Sequence, residues 1–196
     1  LFEAIAPITF TPDNWNVAQN VLVTPVDDNR VTGTRTGTII QKVVSDDPAF
    51  NNLAIKNASV SVLDNDTANI IVTVSDGNTQ VREASQTDKF TIALSSQPAS
   101  DVKIEFLTTS PISSLVPVIF TPKNWSEPQT INVVAVNDGI SQGSIREKTP
   151  IRLSVTTNDA SYNGFKLNHI PVDIADVAGV TVTKTSLQVG EGERPN

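Results

Sequence analysis

The string Phe10-Thr11-Pro12-Asp13-Asn14-Trp15-Asn16-Val17-Ala18-Gln19 returns as Phe120-Thr121-Pro122-Lys123-Asn124-Trp125-Ser126-Glu127-Pro128-Gln129, an offset of 110 residues. A period of that size is one domain long, so the chain is constrained to a series of similar domains. Val23 meets Val133, Val26 meets Val136 and Gly33 meets Gly143, and nine of the nineteen positions from Phe10 to Asp28 are identical at this offset. Farther on the offset is 112, where Asp47 meets Asp159 and Phe50 meets Tyr162; aligning Asp66 with Asp176 returns it to 110. Loops absorb small length changes of this kind at little cost. Near the end, Ala68-Asn69-Ile70-Ile71-Val72-Thr73 resembles Ala178-Gly179-Val180-Thr181-Val182-Thr183. The expected organisation is the latter part of one repeat in residues 1–66, with its last four strands, a complete repeat in 67–177 and the first strand of a third in 178–196. The chain then reads as a piece of a longer array.

The apolar residues recur with period two. Phe90, Ile92 and Leu94 alternate with Thr91 and Ala93; Val102, Ile104 and Phe106 alternate with Lys103 and Glu105; Ile170, Val172 and Ile174 alternate with Pro171 and Asp173. This is the pattern of strands with one dry and one wet face. Seven strands are expected in the complete repeat, at 69–83 (kinked at Asp76-Gly77), 88–94, 102–107, 117–121, 129–136, 149–156 and 170–175. Seven short strands in about 110 residues predict an all-β fold of tandem immunoglobulin-like sandwiches. In the repeated string, Phe closes a strand toward the core, Pro and Asn set the turn, and Trp covers it. A carbohydrate-stacking role is the alternative for the Trp.

Composition narrows the function classes. There is no cysteine, so disulfides, thiol catalysis and thiolate metal sites are excluded. The formal net charge of −7 disfavours a nucleic-acid partner, which needs a basic face. No apolar run approaches the roughly 20 residues of a membrane span. His169 is the sole histidine, expected at a surface or edge position, and no nucleophile elbow, phosphate loop or zinc spacing occurs. A non-catalytic role is expected.

Phe-Thr-Pro-x-Asn-Trp-x-x-x-Gln, followed by Val26-Asp27-Asp28, Ser45-Asp46-Asp47-Pro48-Ala49-Phe50-Asn51 and Leu63-Asp64-Asn65-Asp66, resembles the Calx-beta-like repeats of large bacterial surface proteins of cyanobacterial type. The resemblance implies tandem β-sandwiches and, in some members, calcium at or between domain ends.

Strand order places the acids independently. Asp27 and Asp28 follow the counterpart of strand 129–136, and Asp64 and Asp66 follow the counterpart of strand 170–175, so all four lie at the end from which the chain enters the next repeat. Asp46 and Asp47 lie at the opposite end. Asp101, in the facing end of the next repeat, is a further candidate. Ca²⁺ takes six to eight oxygens, several from carboxylates, which makes Asp27, Asp28, Asp64 and Asp66 a candidate calcium site. The alternative is that they cap turns. The corresponding end of the second repeat offers Glu83, Asp138 and Asp176, with Glu191 and Glu193 following in the third copy; Asn137 stands in place of the first acid and Ile174 where Asp64 stands. Asn29-Arg30-Val31-Thr32 follows the Asp pair where the resemblance implies further acids, so one weak site is expected rather than an ion cluster.

These features predict a structural or adhesive calcium-binding module of an extracellular or cell-surface protein. Its partners would be neighbouring repeats of the same chain and a surface or matrix polymer, with no nucleic acid and no membrane span. The alternatives are an accessory glycan- or protein-binding module of a secreted enzyme and a self-associating filament subunit.

Overall fold

A computed structural model describes residues 1–139, 147–167 and 169–176. The segment 178–196, with the third repeat expected there, lies outside the described residues. The described strands are β1 (Arg35–Ile39), β2 (Ala58–Val62), β3 (Ile70–Val74), β4 (Thr79–Arg82), β5 (Asp88–Leu94), β6 (Val102–Leu107), β7 (Val118–Phe120), β8 (Gln129–Val133), β9 (Glu147–Thr157) and β10 (Ile170–Ala175). One 3₁₀ turn, Ser75–Gly77, separates β3 from β4.

From β3 onward the strands form a two-sheet sandwich of immunoglobulin type. One sheet has the order β3-β5-β8 and the other β4-β10-β9-β6-β7. All neighbours are antiparallel except β10 and β4, which are parallel. The alternation in the sequence is what closes the core: Phe90, Ile92, Leu94, Val102, Ile104, Phe106, Ile151, Val172 and Ile174 are all buried in one cluster. Phe90 of one sheet meets Phe106 of the other edge to face, with ring centroids 5.8 Å apart, a geometry that aromatic quadrupoles favour.

The predicted kink has a structural purpose. Asp76 (φ 49°) and Gly77 (φ 80°) turn the chain, so β3 joins one sheet and β4 the other. The Asp88 carboxylate fastens this switch. It accepts from the Ser75 hydroxyl, from the Gln80 N–H at 2.8 Å and from the Lys89 N–H at 2.7 Å. At the other end of the sandwich, the buried Tyr162 hydroxyl accepts from the Ser96 N–H (3.1 Å) and donates to the Ser96 carbonyl (2.8 Å). The Asp159 carboxylate accepts from the Ala99 N–H.

Residues 1–66 repeat this local geometry without the core. The Asn14 side chain accepts from the Thr11 N–H at 2.5 Å, as Asn124 does from Thr121 at 2.6 Å. Gln19 Nε2 donates to the Thr9 carbonyl at 2.8 Å, as Gln129 does to Ile119 at 2.9 Å. Phe2 bridges Pro25 as Ile112 bridges Ala135. Asp47 N–H donates to Ser45 Oγ as Asp159 N–H does to Thr157 Oγ1.

Four strands were expected in residues 1–66, yet only β1 and β2 form, as an antiparallel pair. The physical reason is missing partners. Strand β8 is held by β5, and β7 by β6; residues 1–66 contain no counterpart of β5 or β6, so their 8–10 and 19–23 segments have no ladder to join. β1 and β2 need only each other.

Candidate functional site

The loops after residue 26 and after β2 bring the expected acids together. Asp27, Asp28 and Asp64, with Arg35, line one cavity of about 280 Å³. Asp64 sits where two successive N–H groups converge: Thr32 and Gly33 donate to its Oδ2 at 2.6 and 2.7 Å, and Asp66 N–H donates to Oδ1 at 3.2 Å. Gly33 has φ +66°, a conformation that lets consecutive N–H groups face one anion. The Thr32 and Gly33 N–H bonds, helped by Asp66 N–H and the Arg35 charge, hold the Asp64 carboxyl below its ordinary value. Asp66 behaves in the opposite way. Desolvation, then the charges of Asp64, Asp27 and Asp28, push its carboxyl up, and its Oδ2 is shielded from solvent with no hydrogen-bond partner. All four first-repeat candidates therefore share one electrostatic field.

Arg35 was not singled out in the sequence. It stands on the inward parity of Arg35-Thr36-Gly37-Thr38-Ile39, and its guanidinium lies 3.0 Å from Asp28 Oδ2. Asp28 Oδ1 accepts from Arg30 N–H at 3.1 Å. The alternation of that strand is the signal that marks Arg35 as facing the acids. The other contact absent from the sequence reading is at the junction itself: Gln97 N–H donates to the Asn29 carbonyl at 2.6 Å. Ser95 Oγ donates to the Thr67 carbonyl at 2.7 Å. The loop between β5 and β6 thus touches the loop that carries Asp27 and Asp28.

Asp101, in that same β5–β6 loop, is not part of the group. It does not line the cavity, it is exposed, and its carbonyl accepts from Thr157 Oγ1 at 2.8 Å. Gln97, four residues earlier, makes the junction contact instead.

In the second repeat, Glu83 is fully buried at the end of β4. Its N–H donates to the Ala175 carbonyl at 3.0 Å, beside Asp176, and Ala84 N–H donates to Ala135 at 3.2 Å, near Asp138. Glu83, Asp138 and Asp176 thus belong to one end of the sandwich. Strand register corrects one expectation. β1 pairs Ile39 with Ala58, and β9 pairs Ile151 with Ile170. Setting Ile39 on Ile151 therefore sets Asp64 on Asp176; Ile174 takes the place of Val62, not of Asp64. Asp66 then has no counterpart within the strand frame. Glu191 and Glu193, near the third copy, lie outside the described residues. His169 is exposed.

Among the described residues no group of three or more acidic or histidine side chains is arranged to hold a metal ion, and no helix is long and apolar enough to cross a membrane. Of the four expected acids in residues 1–66, Asp28 and Asp64 are instead engaged by Arg35 and by backbone N–H groups. No family model and no curated protein matches the chain. Among solved structures it is similar to the apo form of the Calx CBD1 domain, with 18% identity and a TM-score of 0.37, over 55% of this chain and 97% of that one.

Proposed function

We propose that the chain is a series of β-sandwich repeats acting as a non-catalytic structural and adhesive spacer of an extracellular or cell-surface protein, with Ca²⁺ held weakly where one repeat meets the next. The observation that carries this reading is the convergence of Asp27, Asp28, Asp64 and Asp66 beside the Asn29–Gln97 contact. Four carboxylates in one field repel one another, and that repulsion adds to desolvation in pushing the Asp66 carboxyl up. A hard divalent cation relieves it with oxygen donors of the right kind. Asp27, Asp28 and Asp66 would hold the ion. Asp64 is already committed to three N–H donors and serves to position its loop. Arg35 must leave Asp28 for the ion to enter, which makes the site weak and single.

Isothermal titration of CaCl₂ into the chelator-stripped chain tests this. One weak site should appear, lost in Asp66→Asn. Arg35→Gln should bind about two- to fivefold more tightly, because an exposed ion pair competing for Asp28 is worth ~0.3–1 kcal/mol. Absence of heat up to millimolar calcium in both the parent and Arg35→Gln would remove the metal from the account.

A further inference from the structure

Residues 1–66 expose apolar side chains whose counterparts are core. Phe10 is 53% exposed where Phe120 is 0%; Val21 is 46% where Ile131 is 5%; Phe50 is 56% where Tyr162 is 0%. Ile8 and Val118 differ in the same sense. The sandwich of residues 70–175 shows what covers each position. β5 pairs with β8 and places Phe90 opposite Ile131. β6 lies between β7 and β9 and places Val102 opposite Phe120. Tyr162 and Asp159, the counterparts of Phe50 and Asp47, are met by Ser96 and Ala99 of the β5–β6 loop. The exposed face of residues 1–66 is therefore missing one specific set of strands.

We propose that this face is a docking surface for a strand set of the β3–β6 kind: a polypeptide of the chemistry of residues 67–110, with the apolar alternation of Ile70, Phe90, Ile92, Val102, Ile104 and Phe106. One incoming strand enters between segment 8–10 and β1 as β6 enters between β7 and β9. A second adds to segment 19–23 as β5 adds to β8. Main-chain ladder bonds supply affinity, and the alternate apolar side chains fix register. Asp47 supplies an acceptor for the connecting loop. Its Oδ1 takes the Ala49 N–H at 2.9 Å, as Asp159 Oδ1 takes Ser161, which leaves Oδ2 for the donor that Ala99 provides to Asp159. The occupant is another repeat's segment and not residues 67–110 of a second copy of this chain, because those are already committed to their own sandwich. This inference rests on the repeat reading above and is independent of calcium.

The test is amide hydrogen exchange in EDTA on three chains: the parent, a fusion carrying an added copy of residues 67–110 directly before Leu1, and the same fusion with Ile104→Asp and Phe106→Asp in the added copy only. Leu1 matches Pro111 in its bond to the strand beside it, since Val26 N–H donates to Leu1 as Val136 N–H donates to Pro111; the join therefore keeps the natural spacing. In the fusion, amides of 8–10 and 19–23 should gain protection by about 100-fold or more, and the double substitution should abolish the gain. Unchanged exchange of these amides in the fusion, while 90–94 and 102–107 of the parent sequence stay protected, would overturn the proposal. Protection in the parent that rises with concentration would also overturn it, in favour of a second copy as occupant. Loss of protection at 90–94 and 102–107 in the parent would overturn the repeat reading itself.

Discussion

Phe10 and Phe120 sit at the same place in a recurring string and experience different surroundings, one in solvent and one in a closed core. Phe120→Ala should cost about 3–5 kcal/mol by urea unfolding, the usual range for emptying a fully buried aromatic site. Phe10→Ala should stay within ~0.5 kcal/mol of the parent, as surface changes do. Equal effects would mean that the first repeat buries its Phe after all. The same contrast appears at Phe50, which lacks the hydroxyl through which Tyr162 grips Ser96. At the acid-lined junction the residue-scale prediction concerns pH. Asp66 is raised in the folded chain, so its contribution is stabilising below its ordinary value of 3.8 and is lost as pH rises through the folded value. At neutral pH in EDTA, Asp66→Asn should therefore slow exchange of the Thr32 and Gly33 amides. The difference should vanish as the pH is brought below 3.8. Slower exchange in the parent at neutral pH would contradict the repulsion.

At the scale of elements, the switch between β3 and β4 decides the architecture, since it feeds one strand to each sheet. Gly77 has φ +80° and open space where a Cβ would stand, so Gly77→Ala tests backbone strain alone. It should destabilise by about 1–2 kcal/mol; a neutral result would show that the turn relaxes. Asp88 at the same switch is pushed up by burial, but the Ser75 hydroxyl and the Gln80 and Lys89 N–H groups outweigh this and leave it lowered. Its stabilising contribution is present above its ordinary 3.8 and is lost as pH falls through the lower folded value. Most of these elements were legible in the sequence, because period-two alternation and the Asp76-Gly77 turn are local signals. β5, β6 and β10 lie within a residue of the expected bounds. The counterparts of β7 and β8 in residues 1–66 were not legible, because strand formation there depends on ladder partners that residues 1–66 do not contain. Nor was the match of Asp64 to Asp176. Two aspartates in one short loop align equally well by identity, and only the β1–β2 and β9–β10 registers distinguish them.

At the scale of the whole molecule, the sequence period and the sandwich topology together explain why acids distant in sequence share one end of the first repeat. That much of the candidate site followed from strand direction. Arg35 was missed because an inward charge reads as noise in a strand pattern until its partner, Asp28, is placed beside it. Gln97 was missed, and Asp101 favoured, because a loop's position can be argued from topology while its contacting residue cannot. The proposed spacer role turns on whether calcium at this junction fixes the angle between repeats. The chain has no cysteine, so spin labels placed through Thr38→Cys in β1 and Asn132→Cys in β8, both at exposed positions, report on the two repeats alone. Double electron–electron resonance should give a narrow distance distribution in saturating Ca²⁺ and a broad one in EDTA, with the narrowing lost in Asp66→Asn. Distributions of equal width in Ca²⁺ and in EDTA would contradict the account.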